Sequence, residues 1–254
     1  MTGVKDLAVV ITGGLSGIGR ATAEAFLAAG ARVGILDVGA AEPPVGAVFH
    51  AADVRNRDQV RSAVDTLAED LGGIDVVVNN AGVSAVGAID ENTDEDWARV
   101  LDINVTGIAR VTAAALPHLR RSGAASVVNL CSVAALNGLP QRALYSASKG
   151  AVLSLTYAMA TDHVAEGIRV NCVRPGTVSG PFVDAMLQRF PDPVAERRAL
   201  DNRQATGRMV TPQEVAAAIV FLSSRESASI TGTALDIDGG MTHLRVRHDT
   251  QETR

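Results

Sequence analysis

Short runs of apolar, often β-branched residues alternate along the chain with longer stretches in which apolar residues recur every three or four positions. The short runs are typical of buried β-strands, and the longer stretches are typical of amphipathic helices. Strands are predicted at residues 6–12, 32–37, 47–53, 74–79, 126–131, 168–174 and 234–237. Helices are predicted at residues 17–30, 56–71, 94–121, 144–166 and 211–223, and a loop with short helices at 177–208.

The order of these elements predicts an α/β fold. Most of the strands are apolar at nearly every position, which is typical of strands buried on both faces of a parallel sheet. Helical stretches separate most of the strands, so we expect one doubly wound parallel sheet with helices on both sides. We assign residues 1–241 to this single domain and residues 242–254 to a polar C-terminal tail with no clear pattern.

The composition narrows the class of protein. Of the 254 residues, 47% are hydrophobic and 20% are charged, which is typical of a globular domain. The net charge of −5 argues against a surface that binds nucleic acid. Apolar runs at residues 7–11 and 215–222 are too short for a signal-peptide core or a membrane span. We therefore expect a cytoplasmic protein that binds neither nucleic acid nor membranes.

The two cysteines, Cys131 and Cys172, do not form a CxxC motif and cannot make a disulfide framework. Both lie in apolar, strand-like stretches, so we expect buried, neutral thiols. No metal site is predicted.

A glycine-rich turn connects the first predicted strand to the first predicted helix. Residues 12–19 have the sequence TGGLSGIG, which alone would be weak evidence because the chain has 24 glycines. At a strand-to-helix turn, however, glycines let the backbone approach a pyrophosphate, which amides at the helix N-terminus can hold. The pattern predicts a Rossmann-like dinucleotide site with contacts from Gly13, Ser16, Gly17, Ile18 and Gly19.

Asp37 ends the second predicted strand. A carboxylate there would accept hydrogen bonds from the adenosine ribose of NAD and repel the 2′-phosphate of NADP. No basic residue stands at position 16 or directly after Asp37 to receive that phosphate, so NAD is favoured, although an aspartate can also simply end a strand. At the same sheet edge we predict further cofactor contacts from Asp53, Val54, Asn80, Ala81 and Gly82.

Tyr145 and Lys149 lie four residues apart on a predicted helix and therefore share one of its faces. The chain has only two tyrosines, and only two of its 23 basic residues are lysines. An ammonium beside a phenol favours the phenolate, which can take the proton of an alcohol as hydride leaves. Ser132, at the end of the fifth strand, could bind the substrate oxygen, and Asn104 could hold a water of a proton relay. Alone, each of these two would more often be a structural polar residue.

These features together resemble the short-chain dehydrogenase/reductase family over residues 5–241. The matching features are TGGLSGIG at 12–19, Asp37, DV at 53–54, NNAG at 79–82, Asn104, Ser132, YSASK at 145–149, RPG at 174–176 and DGG at 238–240. The resemblance implies that Tyr145 is the general acid/base, that Lys149 binds the nicotinamide ribose, that Ser132 orients substrate and that Asn104 supports the relay. It also implies a homotetramer, and NAD contacts from Tyr145, Lys149, Pro175, Gly176 and Val178.

One position departs from the family pattern. The family usually has a threonine five residues after the proline of the RPG motif, where it holds the nicotinamide carboxamide. This chain has Gly180 there, with Thr177 and Ser179 nearby. We expect backbone groups and Val178 to maintain cofactor binding, while Gly180 has no side chain with which to anchor the carboxamide.

Two arginines indicate a class of substrate. Arg142 lies three residues before Tyr145, and Arg203 lies in a segment that commonly closes over substrate in the family. A guanidinium can bind a carboxylate through two parallel hydrogen bonds. These stretches are similar to dehydrogenases of 3-hydroxybutyrate, cyclic hydroxy acids or sugar acids. The resemblance implies substrate contacts from Ser132, Arg142, Tyr145 and Arg203, although both arginines could instead be structural or solvated.

Three functions are open on the sequence alone. The leading hypothesis is an NAD-dependent dehydrogenase of a small hydroxy acid or sugar acid. The second is a carbonyl reductase of 3-oxoacyl thioesters or of ring and steroid ketones, in which Arg142→Ala would change nothing. The third is a non-catalytic NAD-sensing module, against which the combination of Asn104, Ser132, Tyr145 and Lys149 argues.

Overall fold

The strands form one parallel sheet. A computed structural model describes residues 3–188 and 190–246 of the chain. The strands are β1 (Ala8–Thr12), β2 (Arg32–Asp37), β3 (Ala47–Ala51), β4 (Val76–Asn79), β5 (Ser126–Leu130), β6 (Arg169–Pro175) and β7 (Ala234–Ile237). Neighbouring strands are parallel throughout, in the order β3-β2-β1-β4-β5-β6-β7. The predicted α/β fold with a doubly wound parallel sheet is confirmed.

Helices connect most of the strands. They are α1 (Gly17–Ala28), α2 (Arg57–Leu71), α3 (Asp94–Leu101), α4 (Gly107–Leu119), α5 (Ala143–His163), α6 (Pro181–Leu187), α7 (Pro193–Asn202) and α8 (Pro212–Ser223). Thr211 caps α8 reciprocally with Glu214: the threonine hydroxyl accepts from the Glu214 amide, and the Glu214 carboxylate accepts from the Thr211 amide. Within residues 3–188 and 190–246, no helix is long and apolar enough to cross a membrane.

Successive strand residues point to opposite faces of the sheet and build two cores. On one face Val9 packs with Phe26 of α1 and Ile219 of α8. On the other face Val10 belongs to a core with α2, α4 and α5, which includes Val152 of α5. All five side chains are fully buried. The strands are apolar at nearly every position because both of their faces are covered.

The direction of the chain along the sheet reverses at β1. The chain passes from β1 to β2 and β3 on one side, and then returns to β4 on the other side of β1. In parallel sheets of this kind, ligands bind in the crevice beyond the carboxyl ends of the strands at such a reversal. The glycine turn follows β1 and the NNAG segment follows β4, so both lie at this crevice.

The predicted helix at 94–121 is not uniform. Thr93 caps α3 through a capping box, but Asp102–Thr106 is π-helical before α4 continues the same path. Asn104 lies in this wider turn, and its side chain reaches Val83 in the loop after β4. Such π-helical insertions are rare and often mark functional sites.

Other predicted boundaries move by a few residues. β3 ends at Ala51 and not at 53, β4 begins at Val76 and not at 74, and residues 164–166 form a 3₁₀ turn after α5. At the predicted C-terminal tail, Thr242 still donates to Asp238, so its first residues stay hydrogen-bonded to the domain. Residues 247–254 of that tail lie outside the described residues.

Candidate active site

The turn between β1 and α1 is tied directly to the loop after β4. The Asn80 side-chain amide donates to the carbonyls of Thr12 and Gly13, at 3.0 and 2.9 Å. In return the Thr12 hydroxyl accepts from the backbone amides of Asn80 and Ala81, at 3.1 and 3.0 Å. Gly13 has a φ of 67°, a left-handed conformation that glycine adopts without strain. The turn and the loop therefore form one hydrogen-bonded floor at the sheet edge.

Gly19 and the N-terminus of α1 leave room and donors for a phosphate. A Cβ atom at Gly19 would overlap the carbonyl oxygen of Gly13 and the side-chain amide of Asn80. Ser16 stands at the N-cap position, but its hydroxyl accepts no hydrogen bond from the helix. The first backbone amides of α1 therefore have no side-chain cap. Uncapped amides and a closely approaching backbone are what a pyrophosphate requires. The predicted group of Gly13, Ser16, Gly17, Ile18 and Gly19 thus fits a dinucleotide.

Asp37 borders the same turn from the end of β2. Its carboxylate accepts from the amide of Leu15 at 3.1 Å and from the amide of Gly39 at 2.9 Å. Arg20 of α1 is paired elsewhere, with Glu24 and with the carbonyl of Glu42. A half-buried carboxylate therefore lies beside the turn, and its oxygens can still accept from a ribose hydroxyl.

The two residues predicted to bind a cofactor after β3 already have partners within the protein. Arg55 Nη2 lies 2.6 Å from Asp53 Oδ2, and this hydrogen bond lowers the pKa of Asp53 despite the smaller, opposite effect of burial. The side chain of Val54 is buried and packs against Gly107 at the start of α4. Both residues lie at the predicted edge, with the carboxylate ionised and paired.

Tyr145 and Lys149 meet on the first turns of α5. The Lys149 Nζ atom lies 5.7 Å from the centroid of the Tyr145 ring. Lys149 is only 5% exposed, and its ammonium donates to the carbonyl of Leu130 at the end of β5, at 2.7 Å. The ammonium and the phenol therefore share one face of α5, at the edge where β5 ends. A phenol in this arrangement can take a proton from an alcohol or return one to a carbonyl oxygen.

Ser132 follows β5 and presents its hydroxyl at the same edge. The hydroxyl accepts from the amide of Ala134 at 3.1 Å, which leaves its own proton available for a ligand oxygen. Ser132 lies two residues after Leu130, the residue whose carbonyl holds the Lys149 ammonium. The end of β5 therefore positions a hydroxyl donor and, through Leu130, the cation that stands beside Tyr145.

Asn104 connects α5 to the loop after β4. Its Oδ1 accepts from the Val83 amide at 2.8 Å, and its Nδ2 donates to the Val83 carbonyl at 2.9 Å and to the Ser148 hydroxyl at 3.1 Å. Ser148 in turn donates to the carbonyl of Tyr145 at 2.7 Å. Because both side-chain amide protons of Asn104 are used, a relay water could meet only its remaining oxygen lone pair or its backbone.

The segment after β6 closes the other side of the crevice. Gly176 donates to the carbonyl of Ile237 at 3.0 Å. Val178 forms an isolated parallel bridge with Val210, and the Ser179 hydroxyl is turned toward the Val210 carbonyl at 3.3 Å. A Cβ atom at Gly180 would meet nothing within 4 Å, so the position that departs from the family pattern borders open space.

The two predicted substrate arginines have different surroundings. Arg142 is half-buried at the N-cap of α5, where its Nη1 donates to the Ala85 carbonyl at 2.9 Å and approaches the Ser84 hydroxyl at 3.4 Å. It is thereby fixed one helical turn before Tyr145. Arg203, at the end of α7, is exposed, and within the described ranges its side chain makes no hydrogen bond. The loop after β4 thus holds the Arg142 guanidinium three residues before Tyr145, whereas Arg203 lies at the surface.

Three further residues of this region have no predicted role. Thr12 joins β1 to the loop after β4, and Ser148 joins Asn104 to Tyr145. Gln204 is fully buried beside Gly176, and its side-chain amide has no partner among the residues that the structure describes. Thr12 and Ser148 lie within the TGGLSGIG and YSASK motifs, whereas no periodic pattern marks Gln204, which lies in a loop.

Comparison with known proteins agrees with this fold. A family model described as enoyl-(acyl carrier protein) reductase matches residues 13–242. The 2-(S)-hydroxypropyl-CoM dehydrogenase 3 of Xanthobacter autotrophicus is 37% identical, over 95% of this chain and 98% of that protein. The meso-2,3-butanediol dehydrogenase of Serratia marcescens is 38% identical, over 92% and 94%. The ligand-free aldohexose dehydrogenase of Thermoplasma acidophilum is similar with a TM-score of 0.90 and 33% identity, over 97% and 99%.

The family model covers most of the chain, and the related dehydrogenases match it over nearly their whole lengths. Their similarity extends across the sheet edge where Tyr145, Lys149 and the glycine turn lie. The resemblance predicted from the motifs is confirmed. The chain belongs to the short-chain dehydrogenase/reductase family and is an oxidoreductase.

Proposed function

We propose that this enzyme is an NAD-dependent dehydrogenase of a small hydroxy acid or sugar acid. The choice of an acid as substrate is based on the position of Arg142. Its guanidinium donates to the Ala85 carbonyl and is held one helical turn before Tyr145. A substrate carboxylate bound there would hold the neighbouring carbon and its hydroxyl close to the phenol. A guanidinium is suited to this because it offers parallel donors in a rigid plane.

The glycine turn and Asp37 are assigned to NAD. The uncapped amides of α1 would hold the pyrophosphate, and the Asp37 carboxylate would accept from the adenosine ribose. The Asp37 charge disfavours the additional phosphate of NADP, and Arg20 is already paired. Further contacts are assigned to Asp53, Val54, Asn80, Ala81, Gly82, Pro175, Gly176 and Val178. When bound, the nicotinamide would take up or deliver the hydride.

Tyr145 is assigned as the general acid/base. In oxidation its phenolate takes the hydroxyl proton of the substrate, and in reduction its phenol returns a proton to the carbonyl oxygen. Lys149 supplies the positive charge that favours the phenolate. Ser132 donates to the substrate oxygen, and Asn104 maintains the position of the Tyr145 turn through Ser148.

Arg142 and Arg203 are assigned to the substrate carboxylate, with Arg142 as the principal contact because it is half-buried and fixed. The related proteins are named for hydroxypropyl-CoM, butanediol and aldohexose, which are hydroxylated compounds. Their names support a small polar substrate. They do not select an acid, so the carboxylate depends on the arginines of this chain.

We expect a cytoplasmic homotetramer. The family resemblance implies the tetramer, and the free thiols of Cys131 and Cys172 are compatible with a reducing compartment. Light scattering of the purified enzyme should give four times the mass of the chain, and a mass of one or two chains would contradict the assembly.

A substrate panel tests this function. Hydroxy acids and sugar acids are compared with neutral alcohols and sugars, each with NAD and with NADP, by the absorbance of the reduced cofactor. We expect the highest kcat/KM with an acid and NAD, and a Tyr145→Phe variant whose kcat is about 1,000-fold lower. Turnover of neutral alcohols but of no acid would disprove the substrate class. Faster turnover with NADP would disprove the cofactor assignment.

The reduction of 3-oxoacyl thioesters is the second candidate, because the matched family model is described as an enoyl-(acyl carrier protein) reductase, whose substrate is also a carrier-bound acyl group although the bond reduced there is C=C and not C=O. It predicts consumption of reduced cofactor with an acetoacetyl thioester, no activity on free hydroxy acids, and no effect of Arg142→Ala. An NAD-sensing module would bind NAD and turn over nothing in the panel.

A further inference from the structure

The only two cysteines of the chain lie on neighbouring strands beneath α5. Cys131 directly follows β5 and precedes Ser132, and its amide donates to the carbonyl of Val173 on β6 at 2.9 Å. Cys172 lies on β6, paired in register with Asn129. Both thiols are buried in the core that also contains Val152 of α5. The assigned chemistry uses neither of them.

Two hydrogen bonds join the end of β5 to the single residue Lys149. The Lys149 ammonium donates to the Leu130 carbonyl at 2.7 Å, and the Cys131 thiol donates to the backbone carbonyl of Lys149 at 3.3 Å. Two consecutive residues, the last of β5 and the one after it, therefore bind the side-chain ammonium and the backbone carbonyl of this lysine. The side-chain bond fixes the ammonium, and the thiol bond fixes the helix turn from which it extends.

Cys172 of β6 interacts with the Cys131 thiol. A hydrogen bond from Cys172 lowers the pKa of Cys131 and raises the pKa of Cys172. The positive charges near Cys131 are Lys149 of α5 and Arg174 of β6, and they lower its pKa further while burial opposes them. The Thr156 hydroxyl of α5 donates to the Val152 carbonyl at 2.8 Å and accepts from Asn129, the register partner of Cys172, at 3.0 Å. The thiol pair thus continues a buried polar row between strands and helix.

A disulfide does not explain this pair. Cys131 lies two residues beyond the register partner of Cys172 on a parallel pair of strands, and a rise of about 3.3 Å per residue with a strand spacing of about 4.8 Å separates such positions by about 8 Å. That separation is at or beyond the limit that a disulfide tolerates without backbone movement. The hydrogen-bonded, reduced thiols are the arrangement that this sheet geometry favours.

We propose that Cys131 is a positioning residue that sets the place of Lys149, and through it the ionisation of Tyr145. This inference rests on the proposed roles of Tyr145 and Lys149. Tyr145 otherwise packs among apolar residues of α3 and the loop after β4, namely Val83, Ala85, Trp97 and Val100. Two cations belong to this end of α5: the Lys149 ammonium, 5.7 Å from the centroid of the Tyr145 ring, and the Arg142 guanidinium, which the Ala85 carbonyl holds three residues before Tyr145. Lys149 is the one whose position Cys131 supports.

The test compares Cys131→Ala with Cys131→Ser, which are nearly equal in size and differ in the hydroxyl donor. Both are made in a Tyr157→Phe background, where Tyr145 is the only tyrosine of the chain. The ultraviolet absorbance of phenolate then titrates Tyr145 alone and needs no substrate. We expect Cys131→Ala to raise the titration midpoint by about half a pH unit or more, and Cys131→Ser to restore most of this shift.

Turnover gives a second readout. Cys131→Ala should lower kcat at neutral pH about threefold or more while the KM for NAD changes little, and Cys131→Ser should recover it. Equal midpoints in all three proteins, or equal shifts in the alanine and serine variants, would overturn the proposal. If Cys131→Ala fails to fold, as judged by circular dichroism, Cys172→Ala must give a smaller shift in the same direction. Because the titration is independent of turnover, its outcome stands apart from that of the substrate panel.

Discussion

The two sides of the candidate active site satisfy their polar groups differently. On the glycine-turn side, the Asn80 amide and the Thr12 hydroxyl bond to each other's backbones, and the Asp37 carboxylate accepts from two backbone amides. On the α6–α7 side, Arg203 is exposed and Gly180 borders open space. The glycine-turn side is specified by hydrogen bonds within the protein, whereas the α6–α7 side presents the exposed side chain of Arg203 to solvent or to a ligand.

This difference separates what the family shares from what this enzyme selects. The dinucleotide is common to the family, so its site can be preformed by backbone atoms. At Gly19 these atoms approach so closely that no Cβ fits. A substrate class varies among relatives, and side chains on short helices can change without disturbing the sheet. The α6–α7 side has only a small core of its own, formed by Val183, Leu187, Leu200 and Met209. Substitutions on the two sides should therefore affect different measurements.

Gly19→Ala should have the largest effect and should act on the glycine-turn side. The new methyl group would overlap the Gly13 carbonyl and the Asn80 amide, so the turn must open. We expect the Kd for NAD, measured by calorimetry, to rise on the order of 100-fold. Gly123→Ala is the matched control, since a Cβ there meets nothing. Unchanged NAD affinity in Gly19→Ala would contradict the close backbone approach.

Arg142→Ala should affect only the substrate side. We expect the KM for a hydroxy acid to rise about 30-fold, because a charged hydrogen-bond partner is lost, while the KM for a neutral alcohol is unchanged. Arg142→Lys should recover little of this loss, since an ammonium lacks the planar fork. Arg203→Ala should raise the KM for the acid less than Arg142→Ala does. A larger effect of Arg203→Ala would reverse the assigned order of the two arginines.

Asp37→Asn tests the cofactor preference at constant shape. The amide keeps an oxygen for the Leu15 amide but removes the charge that repels a 2′-phosphate. We expect the ratio of kcat/KM with NADP to that with NAD to rise about tenfold. Glu42→Gln, an exposed carboxylate in the loop after β2, removes the same charge nearby and should leave this ratio unchanged. Equal ratios in both variants would show that net charge, and not Asp37, sets the preference.

Glu214→Gln should have the smallest effect and should leave both sides of the site intact. The Arg208 guanidinium and the Thr211 amide lower the pKa of Glu214 from 4.5 to about 2. A lowered pKa means that the stabilisation is complete above pH 4.5 and is lost as the pH falls toward about 2. At neutral pH we expect Tm to fall by less than about 3 °C, because the pair is solvent-exposed. In urea unfolding, the difference from wild type should narrow as the pH falls below 4.5; a constant difference would argue against the charge.

Much of the fold could be predicted because each strand is buried on both faces and is apolar as a consequence. The break in the predicted helix 94–121 could not, since the Asn104 side chain of the π-helical turn bonds to Val83, 21 residues away in the chain. Along the chain, Asn104 is only one polar residue within a helical pattern. Hydrogen bonds between distant residues leave no periodic trace in a sequence.

In the candidate site, too, local spacings could be predicted from the sequence and contacts between distant residues could not. Tyr145 and Lys149 can be paired from their spacing, because an interval of four residues on a helix places two side chains on one face. The link from Cys131 to the Lys149 carbonyl could not be predicted, since it joins a strand end to a helix turn 18 residues later. The sequence predicted two buried, neutral thiols, and the structure confirms that both are buried while placing one of them against Lys149.

The sequence by itself determined the parallel sheet, the strand-to-helix glycine turn and the spacing of Tyr145 and Lys149, because periodicity and short-range geometry are local properties. Only the tertiary structure decided which groups support them. It brought Asn80 to the glycine turn, left Arg203 at the surface and placed Leu130 and Cys131 on the two ends of Lys149. These contacts depend on the order in which strands pair and on how helices pack over them, and that order is a property of the whole chain.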